Sequence, residues 1–350
     1  MNDVGAPAEG AGPLRVVTAL LTLVVLALAA IQLTGFQPFG FLLIDTKYLI
    51  LVAGIPLGLT FLYLPRGRER GRPGFVLGLL LAGLAWASTA LIFFSADAGL
   101  ANGYEFGAPP SLAIACLGFW ALVVEAARRA GGIGVAIIVF LASAYPILSD
   151  LLLGSQGMGF DVLQAASYFV FSQEGIYGIP MRTYAYVIVG YLLFGVALQR
   201  SGAAQFFMDM SFSLFGRYRG GAAKVSVVSS ALLGSMSGSV VSNVLTTGAL
   251  TIPAMRKAGL PPPVAGGVEA CASTGAVLMP PIMGATAFVM ASFLSVPYST
   301  VVIAAVLPSL LYFGGLFLQI DAYAARHGIV GLPAGDLPRP GAVLRRGWHY

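Results

Sequence analysis

Apolar side chains run through this chain in long blocks separated by short polar segments. A helix crosses the hydrocarbon core of a bilayer with about 20 apolar residues. Blocks of that order fall at 14–36, 47–64, 74–94, 111–127, 132–153, 183–200 and 300–324. Two further stretches, 225–255 and 262–297, are apolar but have the wrong length or texture for a single span. The pattern predicts an all-α polytopic membrane protein.

The polar segments alternate in charge. One set carries Arg66, Arg68, Arg70 and Arg72, then Arg128 and Arg129, then Arg200, Arg217, Arg219 and Lys224, then Arg256 and Lys257, and finally Arg326, Arg339, Arg345 and Arg346. The other set carries Asp97, Glu105, Asp150, Asp161, Glu174 and a single Arg182. Because basic residues concentrate in cytoplasmic loops, the first set is expected inside, with both termini cytoplasmic. Glu125, at a span end, is expected to snorkel.

Lys224 and Arg256 bracket 31 residues without a charge. One helix of that length would reach ~46 Å against a core of ~30 Å, and two full spans need ~40 residues. With cytoplasmic-type charge at both ends, the stretch is expected to be a re-entrant hairpin of two half-helices. Its centre, Ser235, Met236, Ser237, Gly238 and Ser239, is a poor helix interior. Non-helical backbone at membrane depth survives where it is buried in protein or lines a watery cavity. Small residues also permit close helix packing, but Asn243, Thr246, Thr247 and Thr251 add polar oxygens beyond that need.

The stretch 262–297 is expected to break at Ser273, Thr274 and Gly275 and again at Pro280 and Pro281, since proline removes a donor and clashes with the preceding turn. Half-helix ends expose unpaired amides and carbonyls, the means by which secondary transporters hold anions and cations at the midplane. Glu269 lies in the same segment. It is either an intramembrane functional carboxylate or a residue near the cytoplasmic end paired with Arg256 or Lys257.

Composition supports a bilayer setting: 58% of residues are hydrophobic and 9% charged, where soluble domains carry about 25% charged residues. Disorder is excluded by the apolar content. Cys116 and Cys271 sit in apolar runs and are expected to be core residues, and His327 and His349 are both in the tail, so neither a disulfide framework nor a zinc site is indicated. Basic residues fall between apolar segments and not on one face, which argues against nucleic-acid binding. The first apolar run follows Asp3 and Glu9 and is too long for a signal peptide.

The run from Gly234 to Gly248 (GSMSGSVVSNVLTTG), followed by Thr251 to Gly259 (TIPAMRKAG), resembles the membrane permease of tripartite ATP-independent periplasmic (TRAP) transporters. So do Gly267 to Gly275 (GVEACASTG), Met279 to Phe288 (MPPIMGATAF), Arg200 to Gly202 and Phe215 to Gly221. The similarity is specific over about 132–328 and is closest to the fused permeases of the TAXI branch; the first four spans resemble the small membrane subunit in number and placement.

This resemblance implies a four-helix small-subunit-like domain at 1–130 and the first repeat of the large permease domain at 131–328, with hairpin 225–255 and broken helix 262–297. A cytoplasmic linker follows at 329–350. It implies an elevator-type permease of the bacterial inner membrane, importing a small organic anion of the carboxylate or dicarboxylate class with a TAXI-type periplasmic binding protein. Sodium is the coupling ion and no other cofactor is implied. The family's second inverted repeat would begin after the Pro/Gly-rich segment from Gly331 to Gly341, where this sequence stops. The second half is therefore expected from a separate chain, or the sequence is partial.

The candidate sodium ligands are Ser237, Asn243, Ser273, Thr274 and Gly275. The substrate and ion pathway is expected along Ser235, Ser237, Gly238, Ser239, Asn243, Thr246, Thr247, Glu269, Pro280 and Pro281. Two other classes fare worse. An intramembrane serine protease, prompted by Ser235 and Ser237, lacks a base in any span, and no nucleotide or metalloprotease motif appears. A channel or membrane scaffold needs neither a hairpin nor a broken helix beside it.

Overall fold

A computed structural model of the chain describes residues 12–35, 43–64, 72–154, 159–333, 335 and 337–348. Arg66, Arg68, Arg70, Asp3, Glu9 and His349, used above, lie outside these. Every regular element among the described residues is a helix, and six helices are long and apolar enough to cross a membrane. The chain divides into two compact units, residues 1–186 and 187–350.

The first unit contains α1 (Gly12–Thr34), α2 (Asp45–Tyr63), α3 (Arg72–Asn102), α4 (Pro110–Ser143), α5 (Tyr145–Leu153), α6 (Val162–Phe171) and α7 (Ile179–Thr183). Small residues one turn apart let α2 and α3 meet closely: a Cβ at Gly54 would lie 2.2 Å from the Thr89 side chain, and one at Gly58 2.2 Å from Trp86. The two spans expected at 111–127 and 132–153 are joined at Gly132, whose φ of 82° interrupts the helical backbone of α4. The chain reverses there. Trp120 Nε1 donates to Ser143 Oγ at 2.8 Å, although 23 residues of straight helix would separate them by ~34 Å.

Glu125 accepts 2.7–2.9 Å hydrogen bonds from Arg128 and Arg129, which neutralise it at the helix surface. The short helix α6 has no counterpart among the expected spans. A reciprocal capping box between Asp161 and Gln164 starts it, and ten residues are too few to cross a bilayer.

The second unit contains α8 (Val189–Leu198), α9 (Ala204–Phe215), α10 (Gly221–Ser237), α11 (Val240–Lys257), α12 (Pro262–Ala276), α13 (Ala285–Phe293), α14 (Tyr298–Arg326) and α15 (Pro340–Gly347). The span expected to end at residue 200 continues instead through a π-helical turn at Gln199–Ala203 into α9, with Gly202 at φ 106° absorbing the bend. The segment 329–350, expected as linker, contains α15, and the close approach of Gly347 to the Phe206 ring docks it on α9. Cys271 is exposed, a correction to its expected core position: it lies two residues, about 200° of helical turn, from the buried Glu269.

At the start of α10, Asp321 of α14 holds two cations. It accepts from Arg219 Nε at 2.9 Å and from Lys224 Nζ, and Lys224 also lies over the Phe317 ring at 4.9 Å. The carboxylate keeps Arg219, in the loop before the hairpin, above its usual arginine range.

Candidate functional site

The hairpin exists because its turn is built from residues that stop one helix and start another. Gly238 ends α10 in the left-handed region at φ 60°, where glycine carries no Cβ penalty. Ser239 is extended and caps α11, its Oγ accepting from Ser242 N at 3.3 Å, while Ser237 Oγ accepts from Ser239 N at 3.4 Å. The two arms then run antiparallel. Across them Asn243 Nδ2 donates to Ser230 O at 3.0 Å, and the Ser230 and Thr247 hydroxyls lie 3.1 Å apart. Gly234 allows α12 against the hairpin: a Cβ there would sit 2.0 Å from Ala276 Cβ.

One of the two breaks expected in 262–297 forms. Residues 277–284, between α12 and α13, leave the helix and include the Pro280–Pro281 pair. The break expected at Ser273, Thr274 and Gly275 does not form, because the first two are satisfied within α12 and the third is covered by α14. Ser273 Oγ donates to the Glu269 carboxylate one turn earlier at 3.1 Å, Thr274 Oγ1 donates to Ala270 O at 2.7 Å, and Gly275 packs under the Tyr312 ring.

The real break is held from outside by α14. Tyr298 OH donates to Pro281 O at 2.9 Å and Ser309 Oγ to Leu278 O at 2.6 Å. Met283, buried within the break, adopts φ 57°, a conformation rare for a residue with a side chain and concentrated at functional sites.

Hairpin turn and break meet. Ile282 N donates to Ser235 O at 3.1 Å, and a Cβ on Gly238 would lie 2.4 Å from Met283 O. Since α12 runs alongside α10 and in the same direction, the carbonyl ends of α10 and α12 and the amide ends of α11 and α13 converge on one region. Helix C-termini favour cations and N-termini favour anions.

One turn below this region lies Glu269, fully buried. Five hydroxyls on three helices lie within hydrogen-bond distance of its two oxygens: Ser226 (2.7 Å) and Ser230 (3.2 Å) of α10, Thr247 and Thr251 of α11, and Ser273 (3.1 Å) of α12. Thr247 and Thr251 also lie 2.8 and 3.0 Å from Asn243 O and Thr247 O of their own helix. Of the two readings left open for Glu269, pairing with Arg256 or Lys257 does not occur among the described residues, where both cations are exposed. Ser226 and Ser230 were missed from sequence. A signal was available: Ser226/Ser230, Asn243/Thr247/Thr251 and Glu269/Ser273 are each spaced by four, so each set forms a polar stripe on one helix face.

The expected site residues thus separate into groups. Ser235, Ser237, Gly238, Ser239, Asn243, Thr247, Glu269 and Ser273 cluster at the turn and in the hairpin core, with Pro280 and Pro281 in the break beside them. Thr246 and Thr274 do not join them: each is exposed and donates to its own helix, to Ser242 O and Ala270 O, because a one-residue step from buried Thr247 or Ser273 rotates the side chain by about 100°. Asn243 is nearly fully buried, its Nδ2 engaged by Ser230 O and Ser273 Oγ (3.3 Å), and its Oδ1 has no hydrogen-bond partner among the described residues. A buried carbonyl oxygen without a donor is costly and is suited to a hard cation.

Comparison with known proteins agrees with this architecture. The chain is 34% identical over 91 residues to the sialic acid TRAP transporter permease of Haemophilus influenzae, covering 26% of this chain and 15% of that one. It is 29% identical over 160 residues to the 2,3-diketo-L-gulonate TRAP transporter large permease of Escherichia coli, covering 45% and 35%. An uncharacterized protein of Sinorhizobium fredii matches at 28% over 159 residues, covering 45% and 36%. The chain therefore spans between 15% and 36% of the length of these relatives. A family model described as the DctM component of the tripartite ATP-independent periplasmic transporter matches residues 119–350. With more than half of its length matched and its apolar helices in place, the chain is a multi-pass inner-membrane protein that belongs to this family of transport permeases, which are not enzymes.

Proposed function

We propose that the chain forms the first-repeat portion of a sodium-coupled, binding-protein-dependent importer of a small organic anion of the carboxylate or dicarboxylate class. Residues 1–130 act as a small-subunit-like helper domain and residues 131–328 carry the transport chemistry. Both termini and the open end of the hairpin face the cytoplasm. A TAXI-type periplasmic binding protein delivers the substrate, and a second half completes the permease. The relatives named for sialic acid and 2,3-diketo-L-gulonate transport support an anionic substrate.

The observation that carries the reading is the orphaned Asn243 Oδ1 beside the meeting point of hairpin turn and broken helix. Sodium sits there among Asn243, Ser237 and the C-terminal carbonyls of α10 and α12, and the substrate carboxylate faces the N-termini of α11 and α13. The test is sodium-gradient-driven uptake into proteoliposomes containing the complete permease and its binding protein, comparing Asn243→Ala with Leu232→Ala. Loss of sodium dependence in the first variant alone is expected, and unchanged dependence in both rejects the reading. Orientation is tested separately by cysteines at the exposed Tyr218 and Lys257 positions. Both should label only from the cytoplasmic side, and labelling of either from outside overturns the topology.

A further inference from the structure

We infer that Glu269 is the fixed countercharge of the coupling-cation site, and that it positions Asn243 to present an oxygen to that site. The inference rests on the reading of the hairpin turn as a cation site and adds a residue that is not itself a ligand.

The hydroxyl set around Glu269 is built for a carboxylate. Five O–H groups lie within hydrogen-bond distance of its two oxygens, and those of Ser226 and Ser273 have no other acceptor among the described residues, so the carboxylate oxygens serve as their acceptors. No basic side chain shares the cage among the described residues: Lys224 and Arg219 are held by Asp321. A buried negative charge that meets neutral donors alone retains its field, and that field acts on any cation nearby.

The link to the turn is direct. Glu269 accepts the Ser273 hydroxyl hydrogen bond at 3.1 Å, so Ser273 Oγ can serve Asn243 as an acceptor, and Asn243 Nδ2 donates to it at 3.3 Å. Ser230 O, which can only accept, takes the other Nδ2 hydrogen at 3.0 Å. Both contacts force the same amide orientation, with nitrogen toward the cage and Oδ1 free of protein donors. The carboxylate thus favours a cation at the turn twice, through space and through Ser273.

The test uses the detergent-solubilised 350-residue chain. Thermal stabilisation is titrated with sodium chloride against choline chloride at constant ionic strength, and the sodium midpoint is read. In Glu269→Gln the midpoint should rise about 30-fold, the factor for unit charges ~8 Å apart at an effective dielectric of ~20. Ser226→Ala removes a hydroxyl whose acceptor among the described residues is the carboxylate. It should lower the melting temperature and leave the midpoint within about twofold, since the charge remains.

A wild-type midpoint in Glu269→Gln overturns the inference. So does a rise in Ser226→Ala equal to that in Glu269→Gln, which would mark the cage as structural only. If Glu269→Gln does not fold, Ser273→Ala takes its place: it keeps the charge but cuts the link to Asn243, a raised midpoint supports the inference, and an unchanged one overturns it. Absence of any sodium stabilisation in the wild type overturns the cation reading of the turn itself.

Discussion

The α2–α3 pair and the α10–α11–α12 core solve the same packing problem with different consequences. Both bring helices together over glycine, at Gly54 and Gly58 in the first and at Gly234 and Gly248 in the second. Both bury hydroxyls. In the first, Thr89 donates to Ala85 O of its own helix, and the polar ties between the helices are the Trp86 indole donating to Ile55 O at 3.3 Å and the Lys47–Asp97 ion pair, with no buried hydroxyl bridging them among the described residues. In the second, five hydroxyls from three helices reach one carboxylate, so the arms are tied by directional, charge-assisted bonds. Buried serine and threonine do not by themselves mark function. A shared acceptor across helices turns them into a site.

The comparison can be broken or sharpened by substitution. The largest effect is expected at Gly234, where a Leu must displace Ala276, including its backbone at 3.2 Å, and the Asn243 amide. Gly234→Leu should cost about 3 kcal/mol or more, the upper range for overpacking, while Gly83→Leu, with nothing among the described residues within 4 Å of an added Cβ, should stay within about 0.5 kcal/mol. Thermal unfolding in detergent followed by intrinsic fluorescence measures both, and equal losses would erase the distinction between tight and open helix faces.

A smaller contrast is expected between two isosteric hydroxyl deletions. Thr251→Val removes a hydroxyl shared between a buried carboxylate and Thr247 O of its own helix and should cost roughly 1.5–3 kcal/mol, whereas Thr89→Val removes only a bond within its own helix and should cost less than about 1 kcal/mol. If Thr89→Val proves as costly, the carboxylate is not what distinguishes the two cores.

The smallest effect sharpens the site's edge. Thr246→Ala and Thr274→Ala should leave the sodium midpoint of thermal stabilisation within about twofold of wild type, because both hydroxyls are exposed and turned to their own helices. A shift as large as that of Asn243→Ala in either variant would place the ion on the outer face of the hairpin instead.

Much of this architecture was legible along the chain. Two basic residues around an uncharged stretch of awkward length announced the hairpin, and the Gly238–Ser239 turn formed where the Ser/Gly run predicted it. The Pro280–Pro281 break was equally legible, since proline's missing N–H is a local property. The false break at Ser273 to Gly275 shows where local reasoning stops. Those residues are poor helix formers in isolation, yet a carboxylate one turn away, a backbone carbonyl and the Tyr312 ring hold them helical. Glu269 is a second such case: a lone carboxylate in an apolar segment is visible along the chain, but nothing local chooses between two basic residues nearby in sequence and five hydroxyls spread over three helices.

The sequence by itself determined the bilayer setting, most of the apolar spans and the positions of the hairpin turn and the Pro280–Pro281 break, because these follow from hydropathy, charge and the covalent limits of glycine and proline, which act within a turn or two of chain. Tertiary structure alone decided that hairpin turn and break meet through Ile282 and Ser235, that Thr246 and Thr274 stay outside, and that one carboxylate gathers hydroxyls from α10, α11 and α12. Those outcomes depend on which helix faces are pressed together. A buried polar group takes whatever partner that packing brings within 3 Å.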